Sequence, residues 1–170
     1  NIKTLERWGK TSSGSTFAAV DKLTMEHDGN QLKTVAETGT SVLIAESFDF
    51  KSYKDSVAEY LYNANGSMTK DLNKGITEIK YNQLYLPSQM DIKSPVGEAR
   101  NTYTYTADGI KRKTVQQWNS NYSTTPVIGT GINVSSLNQT KTTDYAGHII
   151  YENGSLKRIL IDGGYIEGGV

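Results

Sequence analysis

"YLYNANGSMTKDLNKGITEIKYNQLYLP", residues 60–87, is the stretch whose reading decides the fold. Tyr60 and Tyr62 stand two apart, so on a strand they share one face. Asn65-Gly66 follows, a pair that tolerates the positive φ of a tight reversal. Met68 then returns the chain to an apolar position. Ile79-x-Tyr81 restates the opening and runs into "NQLYLP", where Leu84, Leu86 and Pro87 replace the glycine turn. The stretch reads as one hairpin entered through tyrosines and the start of another.

Working outward, the same phrase recurs. Tyr103-x-Tyr105 leads into "TADG" and Gly109, Thr143-x-Tyr145 into "AGHI" and Gly147, and Tyr151 into "ENGSL" and Gly154. Met25-x-His27 leads into "DGNQL" in a shorter form. After the glycine an apolar residue usually returns (Leu32, Met68, Ile149, Leu156), whereas Lys111 breaks that habit. Gly29, Gly66, Gly109 and Gly147 stand about forty residues apart. Ile79–Pro87 falls midway in one interval, and Phe48–Phe50 sits at the matching place in the interval before. The unit is therefore roughly twenty residues, two short strands and their connections. Eleven tyrosines against three phenylalanines suit half-buried pleated surfaces, where the ring packs and the hydroxyl reaches water.

These motifs resemble the tyrosine-aspartate (YD) repeats of the Rhs family, in a form found in large cell-surface polypeptides of Bacteroides-like bacteria. Tyr62, Gly66 and Met68 match the family's Tyr-Asp-x-x-Gly-x-apolar form, with Asn63 in place of the aspartate. Tyr81, Leu84, Leu86 and Pro87 match its Leu-x-Leu-Pro variant, and Thr106 replaces the aspartate after Tyr105. The resemblance implies an all-β chain: successive antiparallel hairpins of YD repeats forming one curved, spiral-like sheet. It also implies neighbouring repeats of a parent polypeptide as partners and a cell-surface or secreted location. In some relatives such a sheet encloses a toxin, and in the teneurins it serves adhesion. The repeat-motif residues Tyr60, Tyr62, Gly66, Met68, Tyr81, Leu84, Pro87, Tyr103, Tyr105, Gly109, Tyr145, Gly147, Tyr151 and Gly154 are structural in this reading. The family's self-cleaving aspartates belong to a core segment expected only beyond "IDGGYIEGGV", so the resemblance supplies no catalytic residue.

The bulk of the chain agrees with a scaffold. Its 170 residues suit one domain, with less regular stretches near 36–58 and 119–142. Eighteen basic residues balance eighteen acidic ones, so no basic surface points to nucleic acid, and Lys111–Lys113 reads as a solvated strand face. No apolar run approaches the roughly 18 residues of a membrane span. Cysteine is absent, which excludes disulfides and thiol chemistry. Asn1 in place of a methionine suggests a piece of a longer polypeptide. Residues 46–60 read as a loop with one helical turn, and 119–143 as two extended edge strands joined near Gly129–Gly131.

No cofactor and no metal is expected. His27 and His148 occupy repeat positions and have no evident co-ligands. "GTG" at 129–131 does not extend to a phosphate-binding loop, and "SSGS" at 12–15 lacks the setting of a nucleophile elbow. Acidic residues are scattered singly, and a hydrolase would need two of them to converge in a pocket. Trp8, Tyr85, Trp118 and Tyr122 leave two readings open. They pack seams between repeats, or they stack on sugar rings and make a carbohydrate- or peptide-binding face. Uncovered strand edges in such a piece favour an edge-to-edge homodimer. The expectation is a non-catalytic structural or interaction segment.

Overall fold

The structure is a computed structural model that describes residues 1–11, 16–39, 50, 57–123 and 129–168. It is all-β and antiparallel, as the repeat predicts. Among the described residues the strands fall into antiparallel sheets of three and ten strands. The residues gather into two compact units, 1–75 and 76–170.

In the first unit, β1 (Thr4–Lys10), β2 (Phe17–Asp28) and β3 (Gln31–Glu37) form the small sheet, and β4 (Tyr60–Tyr62) and β5 (Met68–Asp71) form a hairpin. Val20 on β2 and Val35 on β3 are the most deeply buried apolar side chains of this unit, and Ala19, Tyr60 and Leu72 complete its buried apolar set among the described residues. Gly39 lies so close to β2 that a Cβ there would collide with the Val20 carbonyl. Residues 40–49 and 51–56, where most of the expected helical turn and of the Phe48–Phe50 entry falls, lie outside the described residues.

The carboxylate of Glu59, only 3 % exposed, ties this unit together. Its Oε2 accepts the Val35 backbone N–H at 2.8 Å and the Asn73 amide at 2.9 Å. The Glu59 backbone adds an N–H to Lys33 O at 2.9 Å and accepts from Leu72 N–H at 2.9 Å. One residue thus joins β3 to the 3₁₀ turn Leu72–Lys74 that follows β5. That turn begins at Asp71, whose side chain accepts the Lys74 N–H at 3.0 Å, and ends at left-handed Gly75. Tyr62 adds a bond from its hydroxyl to Leu32 O at 3.0 Å.

The second unit is an uninterrupted meander: β6 (Ile76–Tyr81), β7 (Pro87–Ser94), β8 (Gly97–Tyr105), β9 (Lys111–Trp118), β10 (Gln139–Ala146), β11 (Ile149–Glu152), β12 (Ser155–Ile161) and β13 (Gly164–Glu167). Its register sorts side chains cleanly between two faces. Ile76, Ile92, Ala99 and Trp118 form one cross-strand row, with Tyr81, Tyr103, Tyr105 and Tyr145 on the same face. The other face carries Glu78, Asp91, Arg100, Lys113 and Asp144, together with Tyr151. Arg100 grips Asp91 through two bonds of 2.8 Å, and Gln89 reaches both Asp91 oxygens at 3.2 Å. Ile79 is the one buried apolar side chain among the described residues of this unit.

The expected pair of edge strands at 119–143 is corrected. Among the described residues of 119–138 there is no strand, only the 3₁₀ turn Val134–Ser136. The strand that follows, β10, sits between β9 and β11 rather than at an edge. The reason is polar: buried Glu98 on β8 supplies the hydrogen bonds that a ladder would have supplied.

Two predictions follow from the buried carboxylates. Glu59→Ala strands the Val35 N–H and the Asn73 amide in a dry site, so chemical denaturation should show a loss of about 3 kcal/mol. Asp21 and Asp71 should respond to acid with opposite signs. Burial pushes the Asp21 carboxyl up, but bonds from Arg7 and the Phe50 N–H outweigh it and hold its pKa below the ordinary value. Its stabilisation is therefore complete above the ordinary value and is lost as pH falls through the folded pKa. Burial raises the Asp71 pKa, with the Lys74 N–H only partly offsetting it. The folded state then binds the extra proton, and the Asp71 penalty disappears as pH falls through its folded pKa. Melting curves across the acid range should show Asp21→Asn costly at neutral pH but not in acid. Asp71→Asn, which keeps a capping oxygen, should gain stability at neutral pH and lose that gain in acid.

Candidate functional site

The tyrosine phrase folds into one defined turn, built three times. Tyr62, Tyr81 and Tyr105 each pair with a residue six positions on (Met68, Pro87 and Lys111), and each marks a register shift in its ladder. Inside the first turn, Asn63 N–H donates to Ser67 O and Gly66 N–H to Asn63 O, both at 2.9 Å. The Asn63 Oδ1 accepts from Asn65 N–H at 3.0 Å and Ser67 N–H at 2.9 Å. Asn82 repeats all four bonds, with Leu86 O, Tyr85 N–H, Leu84 N–H and Leu86 N–H, at 2.9–3.0 Å. Thr106 repeats the two backbone bonds at 2.9 and 3.1 Å, and its hydroxyl accepts Ile110 N–H at 2.9 Å. The residue after the tyrosine therefore works through a short side-chain oxygen, which Asn, Asp or Thr supplies.

This alignment places Tyr85 where the sister turns have glycine. Its φ is +59°, against +79° at Gly66 and +86° at Gly109. A bulky residue in the left-handed region carries strain. Tyr85 is also 63 % exposed, beside Leu84 at 46 %, so it stands at a turn tip rather than on the sheet. Lys111, the residue that interrupts the apolar return, covers its own strand pair: its Nζ lies 5.0 Å from the Tyr103 ring centroid. Tyr105 closes the same turn through its hydroxyl to Pro87 O at 2.9 Å. Two-residue reversals stand at Gly29-Asn30, Pro95-Val96, Gly147-His148, Asn153-Gly154 and Asp162-Gly163, with positive φ at each glycine.

The four aromatic candidates are not brought together. Trp8 lies on β1, 64 % exposed, its indole N–H bonded to Glu6 at 2.6 Å. Tyr85 sits at the end of β6, whereas Trp118 ends β9 at the opposite rim of the meander. Tyr122 is four residues beyond Trp118, half-buried in the connection to β10.

The described residues of that connection bring many polar groups together around a cavity. Glu98, 5 % exposed, is its anchor. Oε1 accepts the Asn133 N–H at 2.6 Å, Oε2 accepts the Ser136 hydroxyl at 2.8 Å, and the Glu98 carbonyl accepts Asn119 N–H at 3.0 Å. Lys93 pairs with Glu98 at 3.7 Å and donates to Gly131 O at 3.2 Å. Asn138 closes the base through Ser120, whose N–H and hydroxyl both reach its Oδ1 at 3.0 and 3.1 Å. Over this base lies an open cavity of about 230 Å³. Sequence reasoning missed it because Glu98 carries no mark of burial; the clue available was a run of asparagines and serines opposite a lone Lys-x₄-Glu pair. Two further hollows, of about 210 and 230 Å³, lie beside β3–β4 and β1–β2 in the first unit. Among the described residues no three His, Cys, Asp or Glu side chains gather as metal ligands, and no helix is long and apolar enough to cross a membrane.

Comparison of the chain with protein-family models, with curated proteins and with solved structures finds no match.

The turn geometry predicts opposite outcomes for two substitutions. Tyr85→Gly should leave stability unchanged or raise it by up to about 1 kcal/mol, because relief of left-handed strain exceeds the entropy that glycine adds to the unfolded chain. Gly109→Ala should cost about 1–2 kcal/mol, since its Cβ would meet Leu86 Cδ1 at 3.3 Å in a conformation that L residues avoid. Thermal melts of both variants check the pair.

Proposed function

We propose that this chain is a non-catalytic wall segment of a bacterial surface-associated or secreted polypeptide of the Rhs type, and that its work is scaffolding and interaction. The observation that carries this reading is the threefold recurrence of one hydrogen-bonded turn on tyrosine-ended strands. Repetition of a unit that builds a ladder, with its tip sequence free to change, is what a wall requires. Buried carboxylates agree with it: Asp21, Glu59, Asp71, Asp91 and Glu98 are all engaged in bonds that hold strands, turns or loops in place.

The partners of such a segment are the hairpins on either side of it. β13 is the outer strand of the long ladder, and the apolar groups around it are uncovered: Leu160 at 45 %, Ile161 at 53 %, Tyr165 at 52 % and Ile166 at 54 % exposed. A following hairpin would pair with this strand and cover them. In an isolated segment the same edge would pair with a second copy.

Amide exchange tests the proposal. With hairpins of the parent coding region added after residue 170, the β13 amides should exchange at least about tenfold more slowly than in the isolated segment at low concentration. Equal rates in the two chains would overturn the wall reading.

A further inference from the structure

We propose that the cavity over Glu98 is a binding site for a single neutral sugar ring or a small polyol. The charge balance is the first argument. The one cation on the cavity wall, Lys93, is matched by the one anion, Glu98, at 3.7 Å, and both Glu98 oxygens already accept protein donors. An ammonium group at the wall opposes a metal ion, and a carboxylate opposes a phosphate or an acidic sugar. A neutral polar guest meets neither objection.

The second argument is the donor set. Asn119, Asn121 and Asn133 all line the cavity. The Oδ1 of Asn119 is taken by Asn121 N–H at 3.0 Å, and that of Asn133 by the Ser135 hydroxyl at 2.7 Å. Their amide NH₂ groups, and the whole Asn121 amide, have no bond to any described residue. Carboxamides offering donors and acceptors side by side suit vicinal hydroxyls, which need both. Ser123 adds a hydroxyl, and half-buried Tyr122 completes the lining on that side with an aromatic residue.

Size and rigidity agree. At about 230 Å³ the space falls below the ~300–1,000 Å³ of sites that enclose drug-sized ligands, and is on the scale of one ring. Ser120, Asn133 and Ser136 are already held by Asn138 and Glu98 without a guest, so little ordering of these residues opposes binding. This site is separate from Tyr85 and Trp8, and it does not require a flat aromatic platform on the sheet.

The test is protein-observed NMR on the chain. It is titrated in turn with the methyl glycosides of glucose, galactose, mannose and N-acetylglucosamine, with glycerol, with glucuronate and with inorganic phosphate. At least one neutral compound should give saturable shifts centred on the backbone and side-chain amides of residues 119–123 and 131–136. Asn121→Ala, which removes no bond that holds the fold, should melt with the parent chain and weaken that binding about three- to tenfold. No saturable shift from any neutral compound up to about 50 mM would overturn the proposal, being weaker than any useful recognition. So would binding that maps elsewhere or ignores Asn121→Ala, and so would a response to glucuronate or phosphate alone, which would make Lys93 the recognition element.

Discussion

A carboxylate withdrawn from water has to be met by donors, and in this chain that requirement organises what apolar packing cannot. The described core is small: Val20 is the one large side chain wholly shut away. Glu59 instead draws the N–H of β3 and the amide of the 3₁₀ turn to a single oxygen. Glu98 does the same for a long connection that would otherwise have no shape. Arg100 and Gln89 satisfy Asp91 on the polar face of the meander. Such contacts add less net stability than their number suggests, because desolvation offsets much of each one. What they do is choose among arrangements. A loop that must deliver an N–H and a hydroxyl to the two oxygens of one buried carboxylate has very few conformations left.

The hairpins were legible in the sequence because turn chemistry is local. Asn-Gly and Asp-Gly announce positive φ, and paired tyrosines announce a strand face, with no knowledge of what lies beside them. The same logic failed where the local signal was replaced. Tyr85 sits in a glycine position that no propensity predicts, and it is legible only once Asn82 is aligned with Asn63. Glu59 and Glu98 carry no mark of burial in their own local sequence. An acidic side chain is buried or solvated according to which strand happens to lie next to it, and that information is distant in sequence. The polar, Thr- and Ser-rich composition of 119–143 suggests edge strands, whereas the buried anchor of its 119–138 part lies on β8, more than twenty residues earlier.

The two rims of the second unit divide labour. One carries compact reversals alone, at 82–86, 106–110, 147–148 and 162–163. The other admits a connection long enough to enclose a cavity, because Glu98 stabilises it from inside the sheet. A repetitive frame with one elaborated link separates the demands of folding from those of recognition, since the link alters without disturbing the register of β8 and β9.

The three related turns carry a further consequence. Their bonds run through backbone groups along each five-residue reversal and the oxygen of one short side chain, while the central side chains contribute nothing to the closure. The side chains at 64–65, 83–84 and 107–108 are therefore open to replacement at little cost to the strands that bear them. Lineages carrying this frame are free to diversify at those tips, and whatever side chains stand there are displayed on a pedestal whose own geometry does not depend on them.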